Sequence, residues 1–575
     1  MKYSQILKLN KELGDKLSSG SYNISILSNI IVHQIKELLE YQLRKEGFNA
    51  KVEFGDYNNI VQDSDKYKNS HVVIIFWELC NIIEGLQYKI ELLNDNQLED
   101  VLEKSKSEID FVLKTLEKTS LVLINKFTSL PFSHQKIRKN KLDELATQLN
   151  HHLEENLPAN ARLIDIEKVI TSVGSIDSLN MRYFYSSKAL YTIDFFRSYT
   201  NFVKPYFMSA NGKAKKALIF DCDNTLWKGI LGEDGFDNIK MSAVTNDGAI
   251  YSEIQSMAMD LNSQGVLIGL CSKNNPGDVN EVIKSHPDMQ LRDEHITIKK
   301  INWSNKASNL KEVSRELNIG LDSLVIVDDS SFEVNLIREQ LPEVTVLQVP
   351  EKLYEYPALL RENMGLFYNL SFTAEDKKKV KMYKQQVKRE SVKRKFIDIE
   401  DYLSSLELKI TIFQNDESII PRISQMSQKT NQFNLTTKRY TEGDIRKFID
   451  DPNSNVYAFS VADKFGESGL TGLCIVAASG ETELAEIDTL LMSCRIIGRN
   501  IEYAFMDFVI GKMKEKKISK IKAKYTKTAK NEQVREFYDK CSFNLIDEND
   551  LIKNYVLNLK SYVSKRINYI EIING

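Results

Sequence analysis

Histidine is scarce in this chain, and cysteine is thinly scattered. Six cysteines occur with no C-x-x-C pair, so neither a zinc-ligand spacing nor a disulfide framework is indicated. None of the seven histidines lies beyond His295, which denies the C-terminal domain a Cys–His pair of its own. Long apolar runs are missing too, since none approaches the roughly 20 residues of a membrane helix. The opening stretch, MKYSQILKLNKELGDKL, is amphipathic and charged, with no signal-peptide core. Charge of one sign is also lacking: 77 Lys and Arg stand against 80 Asp and Glu. That balance argues against a nucleic-acid binder. The expectation is a cytosolic protein with neither nucleic acid nor membrane as partner. The length predicts three or four domains at roughly 150 residues each.

What the chain does have is centred on ALIFDCDNTLWKG, Ala217 to Gly229. The apolar run Ala217–Phe220 reads as a buried parallel strand. It ends in Asp221, Cys222, Asp223, Asn224 and Thr225. Ligands of open α/β sheets sit beyond the carboxyl ends of the strands. Two carboxylates two residues apart there suit Mg²⁺. One can act as a nucleophile and the other can move a proton. Alone, the pattern also fits a strand followed by an acidic Asx-turn. Three later stations strengthen it. Val266–Cys271 is a second apolar run ending in Ser272, Lys306 lies near a helix start in WSNKASNL, and Leu324–Val327 runs into Asp328 and Asp329.

This order of acid pair, hydroxyl, lysine and acid pair resembles the haloacid dehalogenase (HAD) phosphotransferase superfamily. The resemblance implies that Asp221 attacks a phosphoryl group and that Asp223 serves as acid and then base. Ser272 and Lys306 would bind phosphoryl oxygens. Mg²⁺ would be held by Asp221, the Asp223 backbone carbonyl and Asp328, with Asp329 assisting. Ser272 could equally be a helix N-cap, and Lys306 a solvated lysine. The gaps between stations hold only a short flap, Leu226–Ile239, and ordinary helices and strands, so no large cap is expected. An open site leaves closure to another domain or to a bulky substrate.

The flap sequence LWKGILGEDG resembles the FkbH-like branch of that superfamily. So do FTAEDKKKVKMY at Phe372–Tyr383, SQKTNQFNLTTKRY at Ser427–Tyr440, EIDTLLMSCRIIGRNIE at Glu486–Glu502 and KNEQVREFYDK at Lys530–Lys540. Cys222, Ser330 and Val334 depart from the family's usual residues. The resemblance implies an enzyme that takes a three-carbon phosphorylated acyl donor, 1,3-bisphosphoglycerate. The glyceryl group would be carried as a thioester and passed to the phosphopantetheine thiol of an acyl carrier protein. Cys494 is the candidate thiol, favoured as thiolate by Arg495 and a nearby helix start. Its plain reading is a small buried apolar residue. Two narrower functions remain: a phosphatase without acyl transfer, and a non-catalytic scaffold that binds carrier proteins.

The predicted domains are 1–210, 211–365, a helical connector 366–405, and 406–575. In the first, strands at Ile24–Leu27, Lys51–Phe54, Val72–Phe76, Leu121–Ile124 and Leu163–Ile166 alternate with helices, including Val32–Lys45, Asn96–Lys118 and Lys136–Glu155. A parallel α/β sheet of SGNH-esterase type follows, with Ser28 near the nucleophile's place. The expected histidine is missing from Asp177–Arg197, and His33, His71, His134, His151 and His152 read as surface or helix residues. This domain is expected to be non-catalytic. In the last domain, three strands, a helix at Ile501–Lys516, a strand at Lys520–Lys524, a helix at Asn531–Lys540 and a strand near Tyr555–Leu559 give a GNAT-like α+β plan. Arg495, Gly498 and Arg499 would form its pantetheine-pyrophosphate loop, although Asn500 replaces the last small residue.

Overall fold

The computed structural model describes residues 2–17, 20–132, 140–370, 374–393, 396–478, 483–528, 530–565 and 567–575. The chain divides into two units, Met1–Ala210 and Asn211–Gly575. No helix among the described residues is long and apolar enough to cross a membrane.

The first unit is built on β1 (Tyr22–Ser28), β2 (Ala50–Phe54), β3 (Val72–Phe76), β4 (Leu121–Asn125) and β5 (Ala161–Ile164). They form one parallel sheet in the order β2-β1-β3-β4-β5. The central strands VVIIF and LVLIN are buried at every position, because helices cover both faces and leave no polar side. The last strand lies earlier than Leu163–Ile166. Asp165 leaves the sheet to cap the helix Ile166–Val173, accepting a hydrogen bond from the Lys168 N–H. The expected helix Lys136–Glu155 starts outside the described residues, as does His134. Its described part is Lys141–Asn156, capped by Asn140.

Ser28 closes β1, but its hydroxyl is committed locally. It donates to the Ile30 carbonyl at 2.7 Å and accepts from the Ile30 N–H at 3.1 Å. The described histidines are engaged elsewhere: His33 packs on Phe54, His71 accepts from the Asn23 N–H, His151 faces Glu155 and His152 faces Asp110.

The second unit holds two sheets. Its parallel sheet comprises β6 (Ala217–Phe220), β7 (Leu267–Ser272), β8 (Ile296–Ile301), β9 (Leu324–Asp328) and β10 (Thr345–Gln348), in the order β10-β9-β6-β7-β8. No large cap interrupts it among the described residues: only the flap and the helix Asn246–Ser263 separate β6 from β7.

The mixed sheet comprises β11 (Leu408–Gln414), β12 (Phe433–Asn434), β13 (Ser454–Asp463), β14 (Gly466–Ala478), β15 (Leu484–Met492), β16 (Lys520–Thr526), β17 (Asn544–Glu548), β18 (Ile552–Asn558) and β19 (Ile570–Asn574). Strands β13, β14 and β15 form the expected antiparallel meander, and the helix Ile501–Glu515 follows. Strands β15 and β16 pair in parallel only from Leu484–Glu486 to Lys520–Lys522 and then separate. The chain's own segment fills the opening. Phe433 and Asn434 pair with Met492 and Leu491, while Leu435 donates to Leu490 and accepts from the Thr526 N–H at 2.7 Å. The predicted helix Asn531–Lys540 is instead two short turns, Glu532–Val534 and Phe537–Lys540. Buried Asn531 is tied to Tyr525, Thr528, Asn434 and Thr526, and this tether interrupts a continuous helix.

A connector helix, Ala374–Lys393, joins the two sheets into one body. Its Tyr383 sits in the core that underlies the parallel sheet, with Ala307, Leu310 and Ile337. Arg389 makes a bidentate ion pair with buried Asp463 at 2.7 and 2.8 Å, and Arg499 adds a third contact at 3.2 Å.

Candidate active site

The site forms at the carboxyl edge of the parallel sheet. Strand β6 is buried throughout, and its pairing persists one residue further, where the Asp221 N–H donates to the Val327 carbonyl at 3.0 Å. Asp221 therefore emerges from a fixed backbone. Ser272 and Asp328 are the last residues of β7 and β9. Lys306 is the first residue of the helix Lys306–Leu317, set by Asn305, whose side chain caps the Ala307 N–H. The sheet thus gathers residues far apart in sequence along one rim.

Lys306 is the electrostatic hub. Its Nζ lies 2.6 Å from Asp328 Oδ2 and 3.0 Å from Asp221 Oδ2, and it is 3% exposed. Burial opposes its charge, yet Asp221 and Asp328 outweigh burial and push the ammonium above its ordinary range. Burial and the Asp221 charge push Asp328 and Asp329 up as well, against the pull of Lys306. Lys306 is therefore a buried, doubly paired lysine and not a solvated one.

Asp221, Asp328 and Asp329 each present a carboxylate oxygen within 4.8 Å of the others. Asp221 Oδ1 is buried and has no hydrogen-bond partner among the described residues. An all-oxygen set with one orphaned buried oxygen fits a hard divalent cation.

Asp223 is held differently. Its Oδ1 accepts from the Trp227 indole and the Leu231 N–H, both at 3.0 Å, and its Oδ2 accepts from the Asn274 amide at 2.8 Å. Trp227 is fully buried, so the flap is pinned to the carboxylate it borders. Gly229 turns the flap with φ 105°, and a Cβ there would meet Asp234 Oδ2 at 2.7 Å. Asn274 went unnoticed in the sequence, although it sits two residues after Ser272. The Ser272 hydroxyl is buried and accepts from the same amide at 3.4 Å. Beside it, Lys273 pairs with buried Glu333 at 2.6 Å.

Cys494 lies elsewhere. It is the one cysteine of the six that is not buried, and it lines a cavity of about 120 Å³ with Lys216, Gly320 and Ser323. Lys216 and Ser323 immediately precede β6 and β9. The thiol therefore belongs to the amino edge of the sheet, opposite the carboxylates.

The arginines of the expected pantetheine-pyrophosphate loop point inward. Arg499 is 5% exposed and bonds Asp463, the Gln386 side chain and the Arg495 carbonyl. Arg495 is buried against Ser493 and the Met382 sulfur. Both guanidiniums are thus turned into the connector helix. Gly498 has φ 82°, and Asn500 is also left-handed at 62°.

No family model and no curated protein matches the chain. Solved structures do. The N-terminal part of BF1531 from Bacteroides fragilis, containing a phosphatase domain and complexed with Mg, is 23% identical with a TM-score of 0.56. The match covers 65% of this chain and all of that one. The fold is shared with a phosphatase domain. The spermidine/spermine N-acetyltransferase SpeG of Vibrio cholerae matches 27% of this chain and 95% of its own, at 15% identity and a TM-score of 0.22. The ribosomal-protein-S18-alanine N-acetyltransferase of Escherichia coli matches 28% and 98%, at 10% identity and a TM-score of 0.21.

Proposed function

We propose that this chain is a HAD-type, Mg²⁺-dependent phosphohydrolase of the FkbH-like kind, coupled to transfer of a three-carbon acyl group. The observation that carries the hydrolytic half is the Lys306 ammonium bridging Asp221 and Asp328 beside an orphaned Asp221 Oδ1. Asp221, Asp328 and Asp329 would hold Mg²⁺, which when bound offsets the negative charge between carboxylates and phosphate.

Asp221 attacks phosphorus in line and the bond to the leaving oxygen breaks. Asp223 gives that oxygen a proton. An aspartyl-phosphate results, and water releases phosphate from it after Asp223 takes a proton from the water. Oδ2 is the proton-carrying oxygen, because Oδ1 already accepts two hydrogen bonds and Oδ2 only one. Ser272 and Lys306 orient the phosphoryl oxygens.

The acyl half rests on sequence resemblance and on the half-buried thiol of Cys494. A phosphorylated three-carbon acyl donor, 1,3-bisphosphoglycerate, acylates Cys494, and the glyceryl group passes to the phosphopantetheine thiol of an acyl carrier protein. Residues 1–210 serve as an SGNH-like module without catalysis, in keeping with the locally committed Ser28 hydroxyl. One observation favours the narrower reading of a phosphatase alone. The opening between β15 and β16 is filled by Phe433–Leu435, and the loop residue Arg499 is paired internally with Asp463.

Intact-protein mass spectrometry separates the two. Wild type, Asp221→Asn and Cys494→Ala are incubated with Mg²⁺, 1,3-bisphosphoglycerate generated in place and a phosphopantetheinylated carrier. The coupled reading expects glyceryl on the carrier with wild type, phosphoglyceryl with Asp221→Asn, and neither with Cys494→Ala. Phosphate release without any acyl adduct leaves the phosphatase alone.

A further inference from the structure

On the rim that carries the carboxylates, one ion pair takes no part in the proposed hydrolysis. Lys273 follows Ser272, and its ammonium lies 2.6 Å from Oε1 of Glu333. The lysine side chain is 38% exposed, whereas Glu333 is 6% exposed. Oε2 of Glu333 is buried and has no hydrogen-bond partner among the described residues. A purely structural pair has both carboxylate oxygens satisfied, because a buried acceptor left unbonded costs stability. Lys273 gives one of its three N–H donors to Oε1. The pair thus sets free donors beside a free acceptor.

Strand alternation fixes the side on which it stands. Successive residues of a strand face opposite ways. Ile219, Cys271 and Ile326 belong to the core beneath the helices Lys306–Leu317 and Ser331–Gln340, and Asp221, Lys273 and Asp328 continue that series two residues on. Glu333 lies one turn before Ile337, which packs in the same core. Lys273, Glu333, Lys306 and Asp221 therefore share one side of the rim. The flap closes the other, where Leu226, Trp227 and Leu231 pack with Phe220 and Leu270. Phe332, which precedes Glu333, is 70% exposed, so the Lys273 side is open. A substrate whose phosphoryl group sits against Asp221 and Lys306 must lead the rest of its chain out past Lys273 and Glu333.

Resting on the hydrolytic half of the reading above, we propose that Lys273 and Glu333 set specificity by binding a hydroxyl on the carbon next to the phosphorylated one. A hydroxyl gives and accepts hydrogen bonds through a single oxygen. Its proton goes to Glu333 Oε2, and its oxygen takes an N–H from Lys273. A carboxylate or carbonyl can only accept, and an ammonium can only give. The neighbouring carbon is the first that can carry a stable hydroxyl, since one on the ester carbon itself would collapse to a carbonyl and free phosphate. The substrate class is therefore phosphate monoesters with a vicinal hydroxyl.

Phosphate release by the full chain with Mg²⁺ tests this on 2-hydroxypropyl phosphate and n-propyl phosphate, which differ by that one hydroxyl. Wild type is expected to favour the first at least tenfold in kcat/KM, the effect of one hydrogen bond to a charged group. Lys273→Met removes the donor. Glu333→Gln keeps the shape but places an NH₂ where Oε2 was, because Lys273 holds the amide oxygen. Each variant is expected to bring the ratio to within threefold of unity. Both esters are assayed on one preparation, so any misfolded fraction cancels from the ratio. A wild-type ratio near unity overturns the proposal and leaves only water on the pair. A tenfold preference retained by either variant overturns it too, since the hydroxyl is then read elsewhere. Release from p-nitrophenyl phosphate but from neither propyl ester overturns it while the hydrolytic reading stands. Release from none of the three overturns the hydrolytic reading itself.

Discussion

Lys306 and Asn318 stand at opposite ends of one helix and serve two different sites. The ammonium of the first lies between Asp221 and Asp328, and the amide of the second holds the backbone of Cys494. One rigid rod therefore fixes the separation of carboxylates and thiol.

Replacing Lys306 by Met leaves two buried carboxylates facing each other without their cation. Phosphatase activity on p-nitrophenyl phosphate with Mg²⁺ is expected to fall by about 10²–10³-fold, the usual effect of removing one preorganised charge. Steady-state kinetics read this directly. Activity within threefold of wild type would remove Lys306 from the mechanism.

Asn274 donates to Asp223 Oδ2, the oxygen that carries the proton in the proposed mechanism, which would make it a positioning residue. Asn274→Ala is expected to lower kcat about tenfold, at the lower end of general acid–base contributions, with KM nearly unchanged. A change confined to KM would instead make Asn274 a substrate contact.

The buried carboxylate of Asp463 holds both Arg389 and Arg499. Asp463→Asn leaves two buried guanidiniums without a counter-charge, a loss of about 3–5 kcal/mol. Thermal unfolding should show the transition of the second unit lowered by several degrees. An unchanged transition would mean that water reaches the pair.

Glu78 follows β3 and is 4% exposed, and burial pushes its carboxyl up to about 7. The folded state thus keeps a proton that the unfolded chain releases near its ordinary 4.5. Stability from this group is full below the unfolded value and falls as pH rises to about 7, by roughly 3 kcal/mol in all. Glu78→Gln should raise the unfolding temperature of the first unit at pH 7.5 and change it little at pH 4.5. Equal shifts at both pH values would show that the carboxyl is not titrating there.

Trp303 is 76% and Phe332 is 70% exposed. They follow β8 and β9, on the rim that carries the carboxylates. If the substrate arrives on a carrier protein, Trp303→Ala with Phe332→Ala should raise KM for the carrier-bound phosphate at least fivefold and leave p-nitrophenyl phosphate unaffected. Equal effects on both substrates would make them part of the small-molecule site.

The carboxylate cluster was legible because its residues sit at strand ends, where apolar runs stop abruptly at Asp221, Ser272 and Asp328. The residues that tune it were not. Asn274, Asn318 and Asp463 look like ordinary polar residues, and only tertiary contact reveals what they hold. Short strands also escaped: β17 is exposed throughout, β12 has two residues, and β11 and β19 lie at one edge of the sheet. Their pairing is decided by neighbours and not by an apolar period. The loop Arg495–Asn500 has the right local letters, but the sequence did not show that the connector helix packs against its two arginines.

Tyr383 belongs in sequence to the connector and in space to the interior of the parallel sheet, alongside Cys494. A gene fusion or domain swap with its breakpoint inside Ala374–Lys393 would strip an aromatic ring from one partner's interior and strand it in the other. Residues 211–575 are thus expected to be inherited, exchanged and lost as one piece, so the two proposed activities would enter a new pathway together or not at all.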